Sequence, residues 1–318
     1  MFLETQLQSI SNKKQASLLK SIKKQKYLVL MVLPFVIWIF IFAYLPLWGW
    51  IMAFQNYFPG KSLFDQKWVG LKNFIDLFLD KRFYLVLTNT VSMSLLQIFF
   101  SGFIAPIFFA ILLNEVKNAK FKKTIQTVSY LPHFVSWVVV AGMFIQFLAP
   151  ETGVFNRLLI DMGILEKPIH FFAEQKYFYA IVTIADVWKE TGWNAIIYLA
   201  AMAGINMELY EAATVDGCGR IGKIWHITLP GIRPTIVVLL ILLVGGIMNT
   251  GFEKQFLFSN PLLIDRAEVI DLYVLNYGLN LQRYSFGTAV GIFKSVIAIA
   301  LIFTTNLIAK KTANESLI

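Results

Sequence analysis

Residues 206–230 read Asn206-Met-Glu-Leu-Tyr-Glu211-Ala212-Ala213-Thr-Val-Asp216-Gly217-Cys-Gly219-Arg220-Ile-Gly222-Lys223-Ile-Trp225-His-Ile227-Thr-Leu229-Pro230, a polar, glycine-punctuated interval between two long apolar runs. Asn206 suits a helix N-cap, and Glu208 and Glu211 complement the positive end of the helix that follows. Gly217 tolerates the left-handed conformation that closes a helix. A second short helix is expected next, because Ile221, Ile224, Trp225 and Thr228 recur at i, i+3, i+4, i+7 while Arg220 and Lys223 lie off that stripe. Pro230 is expected to end it. Two helices of about ten residues are marginal alone in water. They must dock, either on the membrane helices beside them or on a separate protein.

Outward from this interval the chain is apolar. Of 318 residues, 57% are hydrophobic and 15% charged, against about 25% charged in a soluble domain. The apolar residues gather in blocks near 28–54, 85–113, 124–148, 178–204, 233–252 and 286–309. Each block suffices for a helix across the roughly 30 Å hydrocarbon core, which takes about 20 residues. Backbone groups in lipid must be satisfied within the segment, so helices are expected throughout. The fold class is therefore read as an all-α membrane protein with six transmembrane helices, its membrane domain spanning 27–309. Pro34, Pro46, Pro106 and Pro132 lie within or at the edge of spans and should bend them. The single cysteine, Cys218, excludes an internal disulfide, and His133, His170 and His226 form no metalloenzyme pattern. Hydrolytic or metal-dependent chemistry is not expected.

Orientation follows from the basic residues. Residues 1–26 carry Lys13, Lys14, Lys20, Lys23, Lys24 and Lys26 against Glu4, with Leu18, Leu19 and Ile22 at helical spacing. This reads as a basic amphipathic segment on an anionic inner surface. The run from Tyr27 to Phe54 is too long for a signal-peptide core and lacks a cleavage site, so it should remain as the first helix. With the N-terminus inside, Lys117, Lys120, Lys122, Lys123, Arg220, Lys223, Arg233, Lys310 and Lys311 are also inside. The outer loops then balance, and the whole formal charge of +9 falls on one side. Both termini, including the tail 310–318, and the interval 206–230 become cytoplasmic. The basic excess thus speaks of a lipid membrane, and nucleic-acid binding is not expected. Outer stretches such as Tyr57-Phe58-Pro59-Gly60 and His170-Phe-Phe172 suit an interfacial aromatic belt. No internal repeat is visible, which counts against carriers built from duplicated halves.

Polar residues interrupt the spans in three places. The fourth holds Asp186-Val-Trp188-Lys189-Glu190-Thr191-Gly192-Trp193-Asn194. Charges inside a membrane segment cost roughly 3 kcal/mol or more unless paired or wetted. Asp186, Lys189 and Glu190 can neutralise one another on one helix face. Either the stretch lies solvated at the outer rim, or Trp188, Lys189, Glu190, Trp193 and Asn194 line a polar path. Aromatic faces beside hydrogen-bonding groups suit sugar rings. Asn89, in Leu87-Thr88-Asn89-Thr90, faces the same path or bonds between helices. Gly245-Gly246 and Gly251 weaken the fifth span around Asn249 and Glu253, which line a cavity or sit solvated at the rim. Lys294 snorkels outward or pairs with an acid in the bundle.

The interval 206–230 resembles the signature loop of bacterial ATP-binding-cassette importer permeases. That loop has Glu-Ala-Ala, three residues, Gly, nine residues, Ile, one residue and Leu-Pro, and Glu211-Ala212-Ala213, Gly217, Ile227 and Leu229-Pro230 match it with no departure. Further stretches look like the branch that serves complex oligosaccharides and polysaccharide fragments. They are Gln126-Thr-Val-Ser-Tyr130-Leu-Pro132-His133-Phe-Val-Ser136-Trp137, Trp188-Lys189-Glu190-x-Gly192-Trp193, Phe252-Glu253 with Asn260-Pro261-Leu262, and Thr288-Ala289-Val290-Gly291-x-Phe293-Lys294-Ser295. The likeness runs over nearly the whole chain. It implies a type I importer permease fold whose loop 206–230 is a cytoplasmic coupling helix. It further implies a second, usually non-identical permease subunit, two cytoplasmic ATPase subunits and an extracytoplasmic solute-binding protein, in the bacterial cytoplasmic membrane, with an oligosaccharide as cargo. Glu211 would contact the ATPase, Ala212 and Ala213 would allow close approach, and Gly217 and Gly219 would make the turn. Ile227, Leu229 and Pro230 would complete the coupling loop. This chain would be no enzyme and hold no cofactor, ATP and Mg belonging to the ATPase, and it would transmit a rigid-body motion. The outer aromatic loops could then also dock the binding protein. An ion-driven secondary carrier or channel for a polar solute would explain the buried charges but leave the loop without a purpose. A membrane enzyme would need a catalytic base or metal site that the sequence lacks.

Overall fold

A computed structural model describes residues 24–313. The basic segment expected over 1–26 and the end of the tail expected over 310–318 lie largely outside them. In chain order, α1 (Lys26–Phe54) leads to an antiparallel hairpin of β1 (Gln55–Asn56) and β2 (Lys67–Trp68). Next come α2 (Lys72–Leu79), α3 (Lys81–Glu115), α4 (Ala119–Phe134), α5 (Trp137–Phe147) and α6 (Val154–Asp161). Then follow α7 (Gln175–Ala203), α8 (Met207–Val215) and α9 (Arg220–Gly245). The chain closes with the short helices α10 (Phe252–Phe258), α11 (Ile264–Ala267) and α12 (Ile270–Tyr273), and with the long α13 (Tyr284–Ala313).

Four of these helices, α1, α3, α9 and α13, are long and apolar enough to cross a membrane, and the pair α4–α5 adds a fifth if it is one span. The third expected span, 124–148, is not one straight helix, because α4 and α5 meet at 98°. Pro132 sits in the tight last turn of α4, and Ser136 caps α5 by accepting the Val139 N–H. The break is therefore a true helix end followed by a new start. α7 has 29 residues, about 43 Å at 1.5 Å per residue. It is long enough to cross, but it carries Asp186, Lys189 and Glu190 in its middle.

Pro230 does not end a helix, contrary to expectation. α9 runs straight through it, because a widened π turn at Ile224–Thr228 precedes it. The same pattern recurs twice: π turns at Phe40–Tyr44 and Gln97–Ile104 precede Pro46 and Pro106. A π turn shifts the hydrogen-bond register by one residue, which accommodates a ring that lacks an N–H and crowds the preceding turn.

α7 is the central element. It packs along the second half of α3 and against α9, burying Ala195, Tyr198 and Met202 with Ile107, Ala110 and Ile232. Towards its other end Phe178, Val182 and Ala185 pack with Val140, Phe258 and Ala267. A third core joins Phe83 and Val86 of α3 to Ile270, Tyr273, Phe286 and Val290. α7 also crosses α4 very closely, since a Cβ on Gly192 would lie 2.0 Å from the Ser129 carbonyl oxygen. The first part of α1, Lys26–Ile39, buries nothing in this chain.

Candidate functional site

The loop between α7 and α9 is built by local rules. Asn206 caps α8, its side chain accepting the Glu208 N–H at 3.0 Å. Gly217 closes it with φ +74°, and the N–H groups of Gly217 and Cys218 return to Thr214 and Ala213 at 3.1 and 2.8 Å. Only glycine adopts that conformation freely. Gly219 does not share the role expected of it: its φ of −73° and ψ of 174° are ordinary extended backbone. Two side-chain contacts hold α8 on the start of α9. Tyr210 Oη and Thr228 Oγ1 are 2.9 Å apart, and Lys223 Nζ donates to Thr214 Oγ1 at 2.5 Å.

Beneath this pair, Leu229 packs on the core of α3 and α7 with Ile205, while Ile227 is half-buried and Pro230 exposed. Outward, Glu211 and Ala212 are exposed and Ala213 is half-buried. Glu211 makes no hydrogen bond or ion pair among the described residues. Around it Val215 is 88% and Ile221 73% exposed. Of the stripe expected to dock, Ile221 and Trp225 are exposed, whereas Ile224 is half-buried and Thr228 is buried against α8. A short helix that presents apolar side chains and an unpaired carboxylate on a rigid stem is suited to seat in another protein's cleft.

Within the charged stretch of α7, Asp186 and Lys189 are buried and Glu190 is half-buried, and the pairing differs from the expected one. Asp186 does not use Lys189. It pairs with Lys254 of α10 at 2.6 Å, both side chains being buried. Lys189 donates to the carbonyl of His133 and lies 3.4 Å from Glu190. Glu190 in turn is 2.7 Å from His133 Nδ1. The His133 ring stacks on Trp193 with centroids 4.4 Å apart and 2° between planes. Trp137, at the start of α5, has Lys189 and Lys254 Nζ at 5.6 and 5.7 Å from its ring centre. The cluster is therefore a set of compensated charges gathered where α4 breaks into α5, with Trp193 half-exposed at its edge.

The other path residues separate. Trp188 lines a hollow of about 600 Å³ together with Phe144, Phe147 and Ile184. Asn89 is wholly buried inside the helix packing. It donates to the Asp265 and Glu268 carbonyls at 2.8 and 3.0 Å and accepts the Tyr179 hydroxyl at 2.6 Å. Asn194 donates to the Ser101 carbonyl of α3 at 2.9 Å. Both asparagines join helices. Asn249 and Glu253 are exposed beside the break after α9, where Gly251 has φ +84°. Lys294 pairs with Asp271 at 2.5 Å, the bundle partner left open by the sequence.

Sequence reasoning missed the partners His133, Trp137 and Lys254, and the Arg82 guanidinium that bridges Asp265 and Glu268 at 2.6 and 2.7 Å. A usable signal existed. An acid in one apolar helix demands a base elsewhere, and Lys254 follows the helix-breaking Gly251. Nearby, burial, and then the hydrogen bond that its hydroxyl donates to Asp80, holds the Tyr273 phenol far above its ordinary range.

Residues 102–314, which include the break, the cluster and the loop, match the family of binding-protein-dependent transport system inner membrane components. The chain belongs to that family. This inner membrane component is 43% identical to Protein LplB of Bacillus subtilis, over 96% of this chain and 95% of that protein. It is 42% identical to the polygalacturonan/rhamnogalacturonan transport system permease protein YteP of the same organism, over 96% and 94%. Among solved structures it superimposes with a TM-score of 0.86 on a bacterial ABC transporter involved in import of the acidic polysaccharide alginate. The identity there is 39%, over 93% of this chain and 99% of that one. A further crystal structure of a bacterial alginate transporter, with an alginate pentasaccharide-bound periplasmic protein, matches equally well at 0.86. The fold is thus the type I ABC permease fold. The chain is a transport component of an ABC importer, in which the ATPase is a separate subunit.

Proposed function

We propose that this permease moves an oligosaccharide cut from a polysaccharide across the bacterial cytoplasmic membrane, with its loop 206–230 and both termini facing the cytoplasm. Its partners are a second, non-identical permease, two cytoplasmic ATPase subunits that hold ATP and Mg, and an extracytoplasmic solute-binding protein. The observation that carries the reading is likeness over almost the full length both to YteP and to a transporter of alginate. The loop supports the coupling role. Glu211 stands unpaired on α8, Ala212 and Ala213 leave its face low, and Gly217 fixes the turn behind it. ATPase closure would push on α8. The contacts of Tyr210 and Lys223 would pass the push to α9, and Leu229 would pass it to α3 and α7. The half-exposed Trp193, stacked on His133 beside Glu190, offers an aromatic face and polar groups to a passing sugar ring.

Replacing Glu211 by Arg tests the coupling. Saccharide uptake and stimulated ATP hydrolysis should both fall to background, while the protein still inserts and still assembles with its permease partner. Uptake that continues undiminished and without ATP would instead point to an ion-driven carrier.

A further inference from the structure

A second concave site lies at the other end of the bundle, between the hairpin after α1, the first turns of α2 and the residues leading into α13. It is a cleft of about 410 Å³, within the range of about 300–1,000 Å³ usual for small-molecule pockets. Three basic side chains line it, Lys67, Lys72 and Arg283, against a single acid, Asp76. Lys67 and Lys72 make no ion pair among the described residues. The Arg283 guanidinium rests 4.3 Å from the centre of the Phe286 ring, which orients the cation without neutralising it.

The walls are fixed in advance. The Tyr57 N–H donates to Ser285 Oγ at 2.9 Å, and the Tyr57 and Tyr284 rings meet edge to face at 6.1 Å. The Asn73 amide donates to the Ala53 and Gln55 carbonyls at 2.8 and 3.1 Å, locking α2 to the hairpin. Gln282, immediately before Arg283, lines the cleft with φ +57° and is the one non-glycine residue with a left-handed backbone among the described residues. Such strain persists only where surrounding structure holds it, and it gathers at ligand sites.

A fixed concave surface with an excess of unpaired cations, aromatic rings and side-chain amides suits a ligand that joins a carboxylate to a hydroxylated ring. Arg283 can grip the carboxylate through paired N–H groups, the lysines add charge, and Gln282 can reach hydroxyls. We propose that this cleft is a subsite for the uronic-acid unit of an incoming acidic oligosaccharide, at the outer mouth of the permease. The proposal rests on the reading of the chain as an oligosaccharide permease and narrows its cargo to carboxylated sugars.

The test uses the assembled importer in lipid nanodiscs without its binding protein, and trigalacturonate as probe. Methyl-esterified trigalacturonate, with the same rings and no charge, is the comparator. Lys72→Gln and Arg283→Gln should each weaken trigalacturonate binding about tenfold, the size of one charge-assisted hydrogen bond, and leave the ester unchanged. Lys72→Arg should keep the affinity. All three basic side chains are exposed, so these substitutions leave the packed core alone. Equal affinity in wild type and both glutamine variants overturns the proposal. So does a defect that appears only when the binding protein docks, because the cations would then meet an acidic side chain of that protein. ATPase association is measured on the same samples. Its absence would count against the oligosaccharide-importer reading itself, whereas intact association with no uronate binding sinks only the subsite.

Discussion

Asp186 and Lys254 show what a charge within an apolar helix requires. Each is buried and compensated by the other at 2.6 Å, and removal of one partner strands the second in a medium that solvates it poorly. Lys254→Met should destabilise the purified complex by about 3–5 kcal/mol, whereas adding Asp186→Leu should recover most of that loss. Thermal unfolding of the single and double variants measures the difference. Gly192 is a second residue whose identity is set by contact. An added Cβ would meet backbone atoms of Ser129 at 2.0 and 2.5 Å, which no rotamer change relieves. Gly192→Ala should therefore force α7 away from α4 and cost about 1–3 kcal/mol or more by overpacking, again read as a fall in melting temperature. An unchanged melting temperature would mean that the two helices do not approach this closely.

At the scale of elements, α8 and its turn form a device whose parts contribute unequally. Gly217 holds a left-handed conformation, and Gly219 holds one open to any residue with nothing near its Cβ position. Gly217→Ala should cost about 1–2 kcal/mol and speed amide exchange across Met207–Val215. Gly219→Ala should stay within about 0.5 kcal/mol and leave exchange unchanged. Equal effects from the two would show that flexibility, and not backbone handedness, is what the turn needs. The three prolines that follow π turns belong to the same scale. Pro46, Pro106 and Pro230 each follow a change of helical register, whereas Pro132 lies at the 98° break.

At the scale of the whole molecule the question is orientation. The only cysteine, Cys218, sits half-buried in the loop beside Gly217. A membrane-impermeant maleimide should modify it in inside-out vesicles and spare it in intact, right-side-out cells. Labelling from outside would invert the topology and remove the ATPase from reach of α8. The same orientation would put the basic cleft of Lys72 and Arg283 on the outer face, where the proposed cargo would arrive.

Much of this architecture could be read from the chain alone, because it depends on neighbours in sequence. Asn206 and Gly217 delimit α8 through backbone groups within a turn of themselves, and the apolar blocks locate the long helices because lipid demands a continuous run of such residues. The Glu211-Ala212-Ala213 pattern and Gly217 could be read for the same reason, since each is local in sequence. Other features needed the tertiary structure. In a membrane protein every face of a helix is apolar, so the pattern does not say which faces meet. Hence Asp186 found its partner 68 residues away and not three residues along its own helix. Asn89 turned out to join helices, and Glu190 met a histidine beyond a 98° break. The sequence determined where the long apolar helices lie and which loop projects, but not every helix end, since α9 runs through Pro230 and α4 breaks from α5 at 98°. The packing of α7 against α3, α4 and α10 decided which polar groups are compensated and which stay exposed, because those pairings exist only once distant segments approach.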